Sequence, residues 1–247
     1  MHTETSNLIG INMRLIEKAM ILIIFITAGL SCSSNKKNEE KNTTSKELSE
    51  SSEEKSQVKE KSNRTIIFFG NSITAGYGIE PEYAFPNLVQ ERLDSLGYNF
   101  EVVNSGLSGE TTASGLSRLE WVLRQEPDIF VLELGGNDGL RGIDLNETEK
   151  NLNEMIDKVR EANSETKIIL AGMMIPPNMG QDYTQQFAGL FPQVAENKDV
   201  ELIPFLLKDV GGYSELNLPD GIHPNEEGHK IVLETVWEYL KDDLEKS

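Results

Sequence analysis

An α/β architecture, a three-layer α/β/α sandwich on a five-stranded parallel sheet, is what this chain predicts for residues 65–247. Two observations carry that expectation. Short apolar runs rich in β-branched residues recur at 65–69 (TIIFF), 100–104 (FEVVN), 129–134 (IFVLEL), 167–171 (KIILA) and 200–203 (VELI). The segments between them space their apolar residues at the helical period. Regular strand–helix alternation of this kind means a parallel sheet covered on both faces.

The helices follow in order. Phe85, Leu88, Val89, Leu93 and Leu96 fall on one helical face, as do Leu116, Leu119, Val122 and Leu123. The clearest stripe is Leu152, Met155, Ile156, Val159 and Ala162, introduced by Asp144 with Glu147 three residues on, in the manner of a capping box. The last helix carries Ile231, Val232, Thr235, Val236, Tyr239 and Leu240. Pro224 suits its first position, and Glu226 and Glu227 complement its positive end.

The chain ahead of this domain differs in kind. Residues 1–31 read as a signal peptide: Arg14 and Lys18 precede an apolar run, AMILIIFITAGL, at 19–30, which ends in small residues. The run is too short for a comfortable membrane span. Met13 makes a compact alternative start. Cys32, the single cysteine of the chain, stands where a bacterial lipoprotein carries its lipid, although GLSC lacks the Leu usual three residues before the Cys. Residues 32–64 then form the modified Cys and a charged tether, whose only aliphatic residues are Leu48 and Val58. Such a segment buries too little to offset its chain entropy. The protein is therefore expected outside the cytoplasm, anchored to a membrane through lipid on the periplasmic or cell-surface side; an ordinary cleaved signal with an incidental Cys is the other reading. Three Asn-X-Thr triplets, at Asn42, Asn63 and Asn146, are chance matches in that context.

Composition excludes several classes of function. One cysteine rules out a disulfide framework and every multi-cysteine metal site. The net charge is −18 over 247 residues, and the domain at 65–247 holds 13 basic against 32 acidic residues. A chain this acidic has no basic face for a phosphate backbone, so nucleic acid is not an expected partner. A monomer is expected.

Ligands of such sheets sit at the carboxyl ends of the strands. Those ends read GNSITAGYG (70–78), NSGLSGET (104–111) and GGNDG (135–139), and DGIHPN (220–225) follows the fifth strand. Of three histidines, only His223 and His229 fall in the domain. Asp220, three residues before His223, can fold back on its imidazole, and Ser72 is the natural proton donor to the other ring nitrogen. Spacing alone leaves alternatives open: turn chemistry at Ser72, a capped helix start at DGIHP, or a phosphate loop around Gly70, Gly76 and Gly78. That loop matches neither GxGxxG nor GxxxxGK[ST], and GxSxG is absent too. A metal site from His223, His229 and Glu226 or Glu227 is disfavoured because His229 should face outward.

Together the four blocks resemble the SGNH (GDSL) hydrolase family, closest to its acyl-CoA thioesterase I/lysophospholipase L1 (arylesterase) branch. ELGGNDGLRG (133–142) and DGIHPN carry the closest match, and the resemblance spans the domain. It implies a flavodoxin-like fold with no metal and no cofactor. It implies Ser72 as nucleophile, His223 as general base and then acid, and Asp220 as the carboxylate that orients it. The oxyanion hole would use the backbone N–H groups of Ser72 and Gly109 and the side-chain amide of Asn137, with Gly at 109 so that its amide comes close. One departure stands out: the family usually has Asp before the serine, and this chain has Asn71. Glu133 reads as a structural carboxylate within the third strand.

The expected reaction is hydrolysis of carboxylic esters, with small ester or lipid substrates and an acyl-serine intermediate. Met174, Ile175, Pro176 and Met179, with Met173, lie in a segment (173–187) that corresponds to a loop bordering the acyl pocket of the related branch; they suit a pliable apolar wall for an acyl chain, or equally ordinary core and loop packing. A carbohydrate O-acetylesterase of the same fold, or a non-catalytic binding lipoprotein, are the other readings.

Overall fold

The computed structural model describes residues 64–244. The signal peptide, Cys32 and the rest of the tether up to residue 63 lie outside the described residues. Five strands run β1 (Arg64–Gly70), β2 (Phe100–Gly106), β3 (Ile129–Glu133), β4 (Lys167–Ala171) and β5 (Glu201–Ile203). All pair in parallel, in the order β2-β1-β3-β4-β5. Helices α1 (Ser72–Ala75), α2 (Phe85–Leu96), α3 (Thr112–Val122), α4 (Gly136–Leu140), α5 (Leu145–Ala162), α6 (Gln181–Lys198) and α7 (Glu226–Leu240) connect them. This is the α/β/α arrangement expected from the alternation.

The strand order reverses at β1, which lies between β2 and β3, and a crevice opens at the carboxyl end of such a switch point. Register brings three chain ends level there. Gly70 of β1 pairs with Gly106 of β2 on one side and with Glu133 of β3 on the other. Beneath them lies an aromatic core of Phe68, Phe69, Phe85, Phe130, Phe187 and Phe191, each less than 2% exposed. Burial of rings this size supplies a large share of the apolar stabilisation.

Several details depart from the sequence reading. Arg64, assigned above to the tether, opens β1, because its guanidinium reaches Asp128 at 3.3 Å and lies 4.7 Å from the centre of the Phe100 ring. The third strand ends at Glu133, so this acid caps the strand instead of lying within it. Leu96 is 47% exposed, since α2 ends there and its last turn leaves the sheet. Residues 181–187 belong to the helix α6 and not to a loop. Pro224 precedes the last helix, which starts at Glu226 and is capped by the Asn225 side chain on the Gly228 N–H. Asp144 does cap α5, through the Asn146 N–H, but the reciprocal capping box forms at α3 between Thr111 and Ser114.

His229 is the clearest correction. Expected to face outward, it is 1% exposed. Its Nδ1 accepts the Phe85 N–H at 3.2 Å, which caps α2, a helix whose own N-cap residue, Ala84, offers no side-chain acceptor. Burial, and secondarily the charge of His223, lowers its pKa to about 4, in keeping with a neutral acceptor.

Close approach at Gly106 sets the height of the turn after β1. A Cβ at 106 would stand 2.2 Å from the Ala75 nitrogen and 2.7 Å from its Cα, both backbone atoms. Gly106→Ala is expected to cost about 3 kcal/mol through overpacking, read as a lower denaturant midpoint at unchanged slope; wild-type stability in that variant would rule out this packing.

Candidate active site

The site begins with a buried acid. Glu133 is 1% exposed at the end of β3, and the register sets it beside the start of the turn that follows β1. It accepts hydrogen bonds from the Asn71 N–H at 2.9 Å, the Asn71 Nδ2–H at 2.6 Å and the Thr74 hydroxyl at 2.8 Å. Burial pushes its pKa up to about 7 even though these donors pull it down. Asn71 uses both ends of its amide: the nitrogen donates to Glu133, while Oδ1 accepts the Ile73 N–H at 2.9 Å and so caps α1. Ser72 is thereby held as the first residue of α1.

His223 meets Ser72 from the other side. Its Nε2 lies 2.8 Å from Ser72 Oγ, and its Nδ1 lies 2.7 Å from Asp220 Oδ2. The second oxygen of Asp220 accepts the N–H groups of Ile222 and His223 at 2.9 and 3.0 Å. Partial burial raises the Asp220 pKa, but these two N–H groups and the imidazole lower it more, to about 2. An ionised Asp220 holds the proton on Nδ1, which leaves Nε2 free to accept from the Ser72 hydroxyl. Tyr77 covers the imidazole, with ring centres 4.6 Å apart. The sequence reading gave Tyr77 no role, although it lies within the GNSITAGYG block.

Gly109 and Asn137 come from the next two strand ends. Gly109 has φ +81°, and a Cβ there would touch only Arg141, at 3.8 Å. The positive φ by itself favours glycine at this position. Asn137, in the first turn of α4, donates one Nδ2 hydrogen to the Glu110 carbonyl at 2.9 Å. Its neighbour Asp138 turns inward and accepts the Thr112 N–H at 2.9 Å, which ties α4 to the start of α3. Arg141 donates to the Gly109 carbonyl at 3.0 Å.

The segment after β4 divides its apolar residues. Met174 is 56% exposed and Pro176 is exposed, whereas Met173 and Ile175 are buried and Met179 is half-buried. Ile175 packs towards Gly139 and Met173 towards Gly136, so both support α4 from below and do not line an open wall. Only Met174, Pro176 and part of Met179 remain available to a ligand. His229 is engaged by Phe85 and His223 by Ser72 and Asp220, so they do not converge as metal ligands. Among the described residues no group of three His, Cys, Asp or Glu is placed to hold a metal ion.

Residues 68–231 match the GDSL-like lipase/acylhydrolase family. The chain is 40% identical over 179 residues to "Esterase TesA" of Pseudomonas aeruginosa, covering 72% of this chain and 88% of that protein. It is 34% identical over 178 residues to "Thioesterase 1/protease 1/lysophospholipase L1" of Escherichia coli, covering 72% and 83%. Among solved structures, the psychrotrophic esterase EstA from a Pseudoalteromonas species, inhibited by monoethylphosphonate, superposes with a TM-score of 0.69 at 32% identity, covering 72% of this chain and 97% of that one.

The raised Glu133 pKa gives a signed expectation. Folding stability from this group is complete below its ordinary value of 4.5 and declines as pH rises through about 7. Asn71→Asp sets a second carboxyl against Glu133 in place of a donor, so the folded pair must retain a proton that the unfolded chain releases. Relative to wild type, the variant is expected to lose about 1–3 kcal/mol between pH 5 and pH 8, measured by urea unfolding across that range. Parallel curves for the two proteins would refute this account of Glu133.

Proposed function

Because this chain belongs to the GDSL-like lipase/acylhydrolase (SGNH) family, we propose that it is a serine esterase that cleaves carboxylic esters through an acyl-serine intermediate. The observation that supports this most is the unbroken series Ser72–His223–Asp220, with its two contacts of 2.8 and 2.7 Å. In this reading Ser72 Oγ attacks the ester carbonyl while His223 Nε2 takes its proton. The carbonyl oxygen becomes an oxyanion, stabilised by the N–H groups of Ser72 and Gly109 and by the second Nδ2 hydrogen of Asn137. Collapse expels the alkoxide, which takes the proton from His223. Water then attacks acyl-Ser72 as its proton passes to His223; collapse breaks the acyl–Oγ bond, Ser72 takes that proton back from His223, and the released carboxylic acid gives its own proton to solvent. Asp220 stabilises the imidazolium at both stages.

Substrates with apolar acyl chains fit the surroundings. Exposed Tyr77, Leu107, Met174 and Ile222 all stand on segments at the carboxyl end of the sheet, where the reacting serine lies. Lysophospholipid and aryl ester activity, carried in the names of relatives, agrees with such a rim. The acidic domain disfavours polyanionic thioesters by repulsion.

Hydrolysis of p-nitrophenyl esters from acetate to palmitate tests the reading. The wild type should prefer medium or long chains, and Ser72→Ala should lose at least about 10³-fold in kcat. Equal activity in both proteins would exclude Ser72 as nucleophile, and activity on acetate alone would favour a deacetylase.

Cys32, directly after an export-like signal, supports a lipid anchor that holds the enzyme at a membrane. The full chain expressed in a bacterial host should partition into the detergent phase of Triton X-114, and Cys32→Ala should move it to the aqueous phase. Aqueous partitioning of the unaltered protein would dispose of the anchor.

A further inference from the structure

The geometry points to the ion pair between Arg118 and Glu110 as a positioning device for the oxyanion site: it fixes the loop that carries Gly109 and, through the Glu110 carbonyl, the amide of Asn137. This inference rests on the esterase reading and adds two residues to it. Glu110 directly follows Gly109, and its side chain is 1% exposed; the Arg118 side chain, on α3, is 22% exposed. Arg118 Nε donates to Glu110 Oε1 at 2.6 Å, and Nη2 donates to Glu110 Oε2, making a two-pronged contact. Two of its three other N–H groups turn to the far end of the same loop, with Nη1 on Ser105 Oγ at 2.9 Å and Nη2 on the Ser105 carbonyl at 2.8 Å. The guanidinium rests 4.1 Å from the centre of the Phe69 ring. One side chain thus grips the residue before and the residue after the span 106–109.

The chemistry of the pair argues for orientation over simple stability. A buried ion pair recovers little more than its desolvation cost, and apolar residues of similar volume stabilise as well or better. What a planar fork adds is direction, since both N–H bonds must align with both carboxylate oxygens. That direction passes to the backbone. Glu110 holds its N–H on the Leu107 carbonyl at 3.1 Å, closing the turn around Gly109, and its own carbonyl receives the Asn137 Nδ2–H at 2.9 Å. Two of the three proposed oxyanion donors therefore depend on Glu110. The Ser72–His223–Asp220 contacts do not: they arise from the turn after β1 and from the 220–223 loop.

The test separates the two halves of the site. Breaking the pair from one side leaves a buried charge and endangers folding, so the informative variant is Glu110→Gln combined with Arg118→Met, with Arg118→Lys as the conservative change. Kinetics on a p-nitrophenyl ester, normalised to active sites by burst titration, should show kcat lowered about 10–100-fold in the double variant with KM changed less than about threefold. Inhibition by an alkylboronic acid, whose tetrahedral serine adduct carries the oxyanion mimic, should weaken in step with kcat/KM, while binding of the fatty acid product stays unchanged. Arg118→Lys should fall between wild type and the double variant. A merely structural role predicts a lower melting temperature with normal kcat per active site. A folded double variant whose kcat and boronate inhibition stay within twofold of wild type overturns the proposal. Wild-type protein inert towards every ester would instead remove the esterase reading beneath it.

Discussion

One buried carboxylate organises the reacting end of this molecule. Glu133 has no solvent to stabilise its charge, so it must collect donors, and the donors within reach are the backbone and side chains of the turn after β1. A four-residue helix such as α1 has no length with which to stabilise itself. Its geometry is imposed from outside, by an acid on the neighbouring strand. Asn71 makes this possible because an amide donates to the acid with one end and accepts from the helix with the other. The serine is presented by that arrangement and not by any preference of its own.

The sheet order explains why these particular loops meet. With β1 between β2 and β3, the segments that follow the three strands open onto one crevice, and their ends are level in register. Side-chain bonds then cross from loop to loop: Glu133 to the first, Asn137 and Asp138 of α4 to the second. Neighbouring strand ends alone would give proximity without aim.

Most of the fold was legible in the sequence, because strand and helix periodicities are local signals and all five apolar runs became strands. The blocks around Ser72, Gly109, Asn137 and His223 stood out by their Gly and small polar residues, but composition left several chemistries open and the roles of these residues came from the family resemblance. What escaped was tertiary. His229 reads as an exposed histidine on an amphipathic helix, and only the missing cap of a helix 144 residues earlier explains its burial. Arg118 reads as a polar residue between apolar helix positions, and nothing in its own neighbourhood announces a partner eight residues before it beneath a loop. Met173 and Ile175 show the same limit from the opposite direction. Apolar character cannot tell a ligand wall from the floor under α4.

The Asp220–His223 contact has a further consequence. Acid and base lie within one four-residue turn, where Asp220 also ties down the backbone N–H groups of Ile222 and His223. Their mutual alignment is therefore inherited from the chain itself, like a hinge pin cast in one piece with its bracket. The tautomer of the imidazole is therefore set within its own turn and owes nothing to the segment that carries the serine. The Ser72–His223 contact is different in kind, because it joins two segments 151 residues apart and depends on the whole domain to bring them level.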